Sequence, residues 1–334
     1  MIDTIQIAHG GGGRLSSQLI DDEIFPRFGD GPLKNLPDAA LLPNQGGKII
    51  FSTDSFVVHP LMFPGGNIGN LAVHGTVNDI SVAGGKPLWL SLGLILEEGF
   101  PIKTLRTILD TIKKTADECN VKIVTGDTKV VAKGQCDGIY INTAGIGEAL
   151  ENFNLDKHKI IPGDSMLVSG SIGDHGMAVL AAREGLNVES GVVSDTASVH
   201  NLVKIAHEFG ADVRFMRDPT RGGMAAVLNE IATGTNIGFK LKSDSIPLSL
   251  GTKSMSEIIG IDPLNVACEG RMLLICKRNV ADKILERWKE IPEGSGAAII
   301  GEATSYAERV ELLTITGGTR LIDVLQGELL PRIC

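Results

Sequence analysis

Apolar and polar positions alternate along some stretches of the chain and recur at helical spacing along others. Leu88 to Leu96 has leucine at 88, 90, 92, 94 and 96, a period of two that predicts a strand. Lys48 to Val58, rich in Ile, Phe and Val, predicts another, interrupted by Thr53-Asp54-Ser55. Val121 to Thr125 and Asp137 to Ile146 predict two more. Between those two, Gly126-Asp127-Thr128-Lys129 reads as a loop carrying a carboxylate, a hydroxyl and an amine. Pro101 starts a helix with Leu105, Ile108, Leu109, Ile112 and Ala116 on its inner face. Pro64-Gly65-Gly66-Asn67 is a turn, with Asn67 as the N-cap of a helix so apolar all round that it should be buried. A further helix follows from Ser16, and Asp38 to Leu42 looks like a short strand. The order strand, helix, strand, helix, strand, strand predicts an α+β sandwich with helices over one sheet face.

The turn Ile161-Pro162-Gly163-Asp164 marks a domain boundary. Beyond it come a strand at Met166 to Ser169 and a helix start at Asp174-His175, among Gly170, Gly173 and Gly176. Helices follow at Thr196 to Phe209 and Met224 to Ile231. Strand Arg271 to Cys276, helix Asn279 to Trp288 and strand Ala297 to Ile300 complete a second α+β unit. The expected domains are residues 1–155 and 156–308, with a flexible C-terminal tail at 309–334. In that tail Gly317-Gly318 breaks a strand-like run, Arg309 to Thr316, and Arg320 to Gln326 has the pattern of two helical turns. Gly327 would stop the helix and Pro331 would stiffen the tip. From Gly318 the tail reaches roughly 50 Å if extended, so it is either a tether carrying Cys334 or a frayed end that finishes in cysteine.

Composition narrows the class. A net charge of -9 on 334 residues argues against nucleic acid as the main partner. No apolar run is long enough to span a bilayer and no leader pattern opens the chain, so a cytosolic protein is expected. The five cysteines have no CxxC spacing, and four of them, Cys119, Cys136, Cys268 and Cys276, read as small apolar residues. The 41 glycines, about twice the usual share, suggest backbone that approaches ligands closely.

The candidate chemistry is acidic. Asp38, Asp54, Asp79, Asp127 and Asp218 stand at strand or helix ends. Asp79 shares a helical stripe with Ile68, Ala72 and Gly75, so its charge must meet a cation, a metal ion or hydrogen-bond donors. The run Gly10, Gly11, Gly12, Gly13 is a flexible linker or a lid whose amides fold over phosphates. Asp218-Pro219-Thr220-Arg221-Gly222-Gly223 before a helix is an anion site or a structural cap. Lys129, taken alone, is a solvated lysine. Neither G-x-x-x-x-G-K-[ST] nor G-x-G-x-x-G occurs, so hard oxygen ligands with glycine loops suggest a magnesium–nucleotide site of unusual type.

Several stretches together carry a family resemblance. They are Thr53-Asp54-Ser55-Phe56, Pro64-Gly65-Gly66 with Ile68-Gly69, Gly75-Thr76-Val77-Asn78-Asp79 and Gly126-Asp127-Thr128-Lys129-Val130. Asp218 to Gly223, Cys268-Glu269-Gly270 and the terminal Pro331-Arg332-Ile333-Cys334 complete the set. With them the chain resembles the HypE family of hydrogenase maturation factors, among the aminoimidazole ribonucleotide synthetase-like ATP enzymes, over essentially its whole length. The resemblance implies two α/β sandwich domains of that type and an enzyme, an ATP-dependent carbamoyl dehydratase, whose substrate is its own tail. A carbamoyltransferase, HypF, would load Cys334; ATP would then drive dehydration to a thiocyanate, and a HypC–HypD complex would receive the cyanide for a [NiFe]-hydrogenase centre. It further implies Mg²⁺ at Asp38, Asp54, Asp79 and Asp218. ATP would lie against Gly10 to Gly13, Asp127 and Thr128. Lys129 would neutralise charge on phosphate or activated oxygen, and Glu269 would act as general base. A homodimer is implied, with Lys48 to Val58 and Leu88 to Leu96 as candidate pairing strands. A small-molecule kinase or synthetase of the same superfamily, and a non-catalytic thiol carrier, are the alternatives.

Overall fold

The computed structural model describes residues 4–10, 14–30, 40, 42–43, 46–186, 191–324 and 333–334. Helix α1 (Arg14–Leu19) runs through a π turn into α2 (Phe25–Phe28). The first domain then follows as β1 (Ile49–Phe56), a short ribbon of β2 (Met62–Phe63) and β3 (Gly66–Asn67), α3 (Ile68–Val82), β4 (Gly85–Glu97), α4 (Ile102–Glu118), β5 (Lys122–Val131) and β6 (Ile139–Ala149). Its sheet has the order β1-β6-β4-β5. β4 and β5 are parallel, and the other pairs are antiparallel. Leucines 90, 92, 94 and 96 of β4 are buried with Ile68, Leu71, Leu105 and Ile112 of α3 and α4. The opposite face leaves Ile49, Phe51 and Ile95 exposed.

Asn67 caps α3 as its position suggested. Its side-chain oxygen accepts from the Gly69 amide, while Asn70 accepts from the Asn67 amide in return. Asn67 also donates to Thr111 Oγ1, which fixes α3 against α4. Of the fifteen residues of α3, all but Asn70 and Asp79 are buried.

The second domain contains β7 (Ser165–Val168), α5 (Asp174–Arg183), α6 (His200–His207), β8 (Val213–Arg217), α7 (Gly223–Thr233), β9 (Gly238–Lys242), α8 (Leu250–Ile259), β10 (Leu273–Cys276), α9 (Arg278–Lys289), β11 (Ala298–Thr304), β12 (Val310–Leu313) and β13 (Thr319–Leu321). They make a seven-stranded sheet, β13-β12-β9-β11-β7-β10-β8. Unlike the first sheet, this one is covered on both faces. Met166, Val168, Leu273 and Ile275 pack with α7, whereas Leu167 and Leu274 pack with α6 and α9 around Trp288. The strands themselves say so: β7 and β10 are buried at every position, the run expected of a strand covered twice.

Three local expectations change. Gly126 to Lys129 lies within β5 rather than in a loop, because Leu92 to Ile95 of β4 supply a ladder that overrides a turn-like composition. Arg320 begins no helix: a turn at Gly317, φ +86°, returns 319–321 against β12, with Leu313 opposite Thr319. Residues 310–321 are thus edge strands of the second sheet, not tether. β4 has neighbours on both sides, so Leu88 to Leu96 has no free edge to offer another chain; β1 and β5 are the outer strands. The short strand expected at Asp38 to Leu42 lies mostly outside the described residues.

Replacing Asn67 by alanine removes the cap and the tie to α4. Urea unfolding of Asn67→Ala should give a stability about 1–2 kcal/mol below wild type; an unchanged midpoint would show that the cap is not carrying α3.

Candidate active site at the domain junction

Residues 52 and 54 of β1 point the same way, by the two-residue period of a strand, and meet α3. There Ser52 Oγ donates to Asp79 Oδ2 at 2.7 Å. The second domain adds Asp218, from the segment between β8 and α7, and Glu269, from the segment leading to β10; both are buried. Asn78, one residue before Asp79, ties the halves together. Its amide donates to the carbonyls of Ala197 and Glu269 at 2.9 and 3.1 Å, and its oxygen accepts from the Val199 amide at 2.9 Å.

Asp54, Asp79, Asp218 and Glu269 thereby share one electrostatic neighbourhood. Burial, followed by the Asp79 charge, pushes the Asp218 carboxyl up to about 7. Glu269 is pushed well above the carboxylate range, by burial first and then by Asp218, Asp195, Asp54 and Asp79. Asp54 is also raised, chiefly by burial, with Asp79 adding to it. Arg221 Nη2 lies 3.8 Å from Asp54 Oδ1, but its side chain is 70% exposed. Among the described residues, Glu269 Oε1 and Asp195 Oδ2 are buried with no hydrogen-bond partner. Asp195 Oδ2 is met by Arg271 Nε at 3.6 Å, which leaves Glu269 Oε1 as an orphaned oxygen in a field of carboxylates, a setting that suits a divalent cation. Among the described residues no three His, Cys, Asp or Glu stand close enough to hold a metal ion alone. Mg²⁺ commonly takes one or two carboxylates and completes its shell with water and phosphate oxygens.

Other predicted residues gather elsewhere. A cavity of about 320 Å³ is lined by His9, Gly10, Asp127, Thr128 and Lys129, over a floor that includes Leu92 and Leu94. Gly10 is pressed against β5, where a Cβ would lie 2.7 Å from the Val130 amide nitrogen. Asp127 Oδ1 accepts from the Thr128 amide, and Lys129 Nζ stands 3.2 Å from Asp127 Oδ2. Asp54 and Gly126 occupy one row across the sheet, through Thr143 and Leu92. Three strand spacings, roughly 14 Å, therefore separate the carboxylates from the glycine-flanked cavity. Asp38, Gly11, Gly12 and Gly13 lie outside the described residues.

The end of the chain is docked rather than loose. The Val57 amide donates to a terminal carboxylate oxygen of Cys334 at 3.0 Å, and Ile333 is buried in the core shared by the first domain, α5 and α8. Val57 is three residues beyond Asp54, roughly 10 Å along an extended backbone. Cys334 is half-buried while the other four cysteines are buried. Burial pushes the Cys119 and Cys276 thiols up to about 11 and about 12. His74 is buried, its imidazole pushed down to about 4 by desolvation, and bonded to Thr196 Oγ1. Asp195, Ser194 and Val57 carried no signal in the sequence; only the packing of the two domains brings them to the site.

Two α+β domains closing on a carboxylate junction define a class, the AIR synthase related proteins. Models of that class match here: its N-terminal domain over residues 37–149 and its C-terminal domain over 162–311. The carbamoyl dehydratase HypE of Rhizobium leguminosarum bv. viciae is 45% identical over 332 residues, covering 99% of this chain and 95% of its own. That of Escherichia coli K12 is 40% identical over 338 residues, covering 100% of both. A crystal structure of hydrogenase maturation protein HypE in complex with ATP superposes with a TM-score of 0.95 at 43% identity, covering 99% of this chain and 100% of that one. A HypE–HypF complex gives 0.81 at 43% identity, over 94% and 100%. The chain belongs to the HypE carbamoyl dehydratase family, and it is an enzyme. Among the described residues no helix is long and apolar enough to cross a membrane.

The raised Asp218 carboxyl has a stability signature. In metal-free buffer the folded chain holds a proton there between about pH 4 and pH 7 that the unfolded chain has released. Stability from this group is therefore full below pH 4 and declines toward pH 7, by at most about 1.4 kcal/mol per pH unit. Asp218→Asn should unfold at higher urea than wild type at pH 8, with the two converging near pH 4.5. A difference that does not change with pH would show that Asp218 ionises freely in the fold.

Proposed function

We propose that this enzyme dehydrates a carbamoyl group carried on its own Cys334, with ATP as the driving co-substrate. The observation that carries the reading is the docking of the Cys334 terminal carboxylate on the Val57 amide, at the end of the strand that holds Asp54. The family's ATP complex and HypF complex support it. HypF would load the sulfur, and a HypC–HypD complex would receive the cyanide.

The chemistry requires ATP because an amide oxygen is a poor leaving group. Transfer of a phosphoryl group to that oxygen makes phosphate the leaving group; loss of both N–H protons then leaves S–C≡N, ADP and phosphate. Catalysis of such a transfer is mostly positioning and charge stabilisation. Asp54, Asp79 and Asp218 are the residues that would hold Mg²⁺, with Asp38 a fourth candidate. When bound, that ion neutralises phosphate charge. Gly10, Asp127 and Thr128 line the nucleotide cavity, joined in this reading by Gly11 to Gly13, and Lys129 supplies positive charge there. Glu269 would accept the proton once its carboxylate is ionised; its Oε1 has no hydrogen-bond partner among the described residues. Two copies would associate through the uncovered face of the first sheet, where Ile49, Phe51 and Ile95 are exposed.

Intact mass tests the reading. With HypF, ATP and carbamoyl phosphate, the wild-type chain should gain the mass of one carbamoyl group and then lose one water. Cys334→Ala should bind ATP normally yet show neither change. Modification of Cys119, Cys136, Cys268 or Cys276 in that variant would overturn the assignment of the acceptor.

Asp79→Asn tests the cation. It should keep the fold and lose most magnesium-dependent ATP turnover, a hundredfold or so by the usual weight of one charged group on a phosphoryl site, about 3 kcal/mol. Normal turnover would remove Asp79 from the cation site.

A further inference from the structure

The docked chain end touches a residue that the chemistry above does not use. His175, on the first turn of α5, is fully buried and stands edge-on to Phe63, with ring centroids 5.4 Å apart. Its Nε2 lies 2.7 Å from the Ile333 carbonyl oxygen, and its Nδ1 lies 2.7 Å from Ser194 Oγ. A carbonyl only accepts, so Nε2 carries the proton. Burial holds the imidazole near 4, so the ring is neutral at pH 7 and Nδ1 accepts from the Ser194 hydroxyl.

Ser194 belongs to an extended strap, residues 192–199, that crosses the junction. Its Oγ accepts from the Thr196 amide, and its own amide donates to the Pro64 carbonyl at 2.8 Å. Asp195, the next residue, accepts from the Glu269 amide through Oδ1 at 3.0 Å. Gly270 is pressed onto the same strap, where a Cβ would lie 1.8 Å from the Asp195 carbonyl oxygen. One line of contacts thus runs from the Ile333 carbonyl through His175 and Ser194 to the backbone of Glu269.

We infer that His175 is a positioning residue: it clasps the tail by the carbonyl of the penultimate residue, sets Cys334 at the end of β1, and ties the docked tail through the strap to Glu269. The inference rests on Cys334 being the acceptor. A grip on the Ile333 backbone is indifferent to what the neighbouring sulfur carries, so thiol, carbamoylated and thiocyanate forms dock alike. A neutral hydrogen bond is also weak enough to open for a loading partner.

The test uses the full chain. His175→Phe keeps a ring beside Phe63 but leaves the buried Ile333 carbonyl without its donor; His175→Gln keeps a donor at similar reach. Three quantities are read: the rate at which iodoacetamide alkylates Cys334, the single-turnover dehydration rate of carbamoylated chain, and ATP affinity. His175→Phe should alkylate Cys334 roughly five to a hundred times faster and dehydrate slower by a similar factor, the span of a lost and unsatisfied hydrogen bond. ATP affinity and loading by the carbamoyltransferase should be unchanged, and His175→Gln should recover most of both rates. If His175→Phe does not fold, Ser194→Ala, which frees Nδ1 from its donor, should shift both rates the same way by a few fold. Wild-type alkylation and dehydration in the folded variant overturns the clasp. If the wild-type chain itself does not dehydrate a carbamoyl group, the activity reading fails, while the alkylation comparison still decides the clasp.

Discussion

Carboxylates that repel one another are held at the junction of two domains, and the rest of the structure works against that repulsion. Asp218 and Glu269 are buried, Asp54 and Asp79 partly so, and Arg221, 3.8 Å from Asp54, reaches in from solvent. A site of this kind survives only if the surrounding packing is rigid. Asn78 provides three hydrogen bonds across the junction, and a continuous apolar core joins α3 and α4 of the first domain to α5 and α8 of the second. Burial and the neighbouring charges accordingly raise the proton affinity of Asp218, Glu269 and Asp54.

The two sheets serve this junction differently. The first is covered on one side, which leaves an apolar outer face and two outer strands, β1 and β5. β1 delivers Asp54 to the carboxylates, while β5 delivers Asp127 to Lys129 to the glycine-bordered cavity, at opposite edges of one four-stranded platform. The second sheet is covered on both faces and acts as a buttress. It presents Asp218 and Glu269 from connecting segments beside β8 and β10, adjacent strands at the end of the sheet away from the β12–β13 hairpin.

Docking changes the meaning of the C-terminus. A terminal cysteine is ordinarily a mobile thiol exposed to any oxidant. Here its backbone is bonded to Val57, its neighbour Ile333 is part of the core, and the residue is half-buried. The position of the chain end is thus set at the domain junction.

Much of this was legible in the residue order. The capped and almost wholly buried α3, the amphipathic α4, the strand at Leu88 to Leu96 and the burial of four cysteines all follow from local periodicity and composition. Local pattern is enough there because the period of the element and the burial of its face are the same fact. The acidic residues were also visible as a set, and the terminal cysteine as a candidate. Local order could not divide that set into a carboxylate cluster and a group lining a separate cavity, since the division depends on which strands lie at the edges. It read Gly126 to Lys129 as a loop and Arg320 as a helix start, because both segments take their form from a partner strand distant in sequence or across a turn. It could not reach His175, Ser194 or Asp195, whose roles exist only where α5, the strap and the chain end meet. Side-chain chemistry is written residue by residue, but the field each group feels is the sum over neighbours that folding alone assembles.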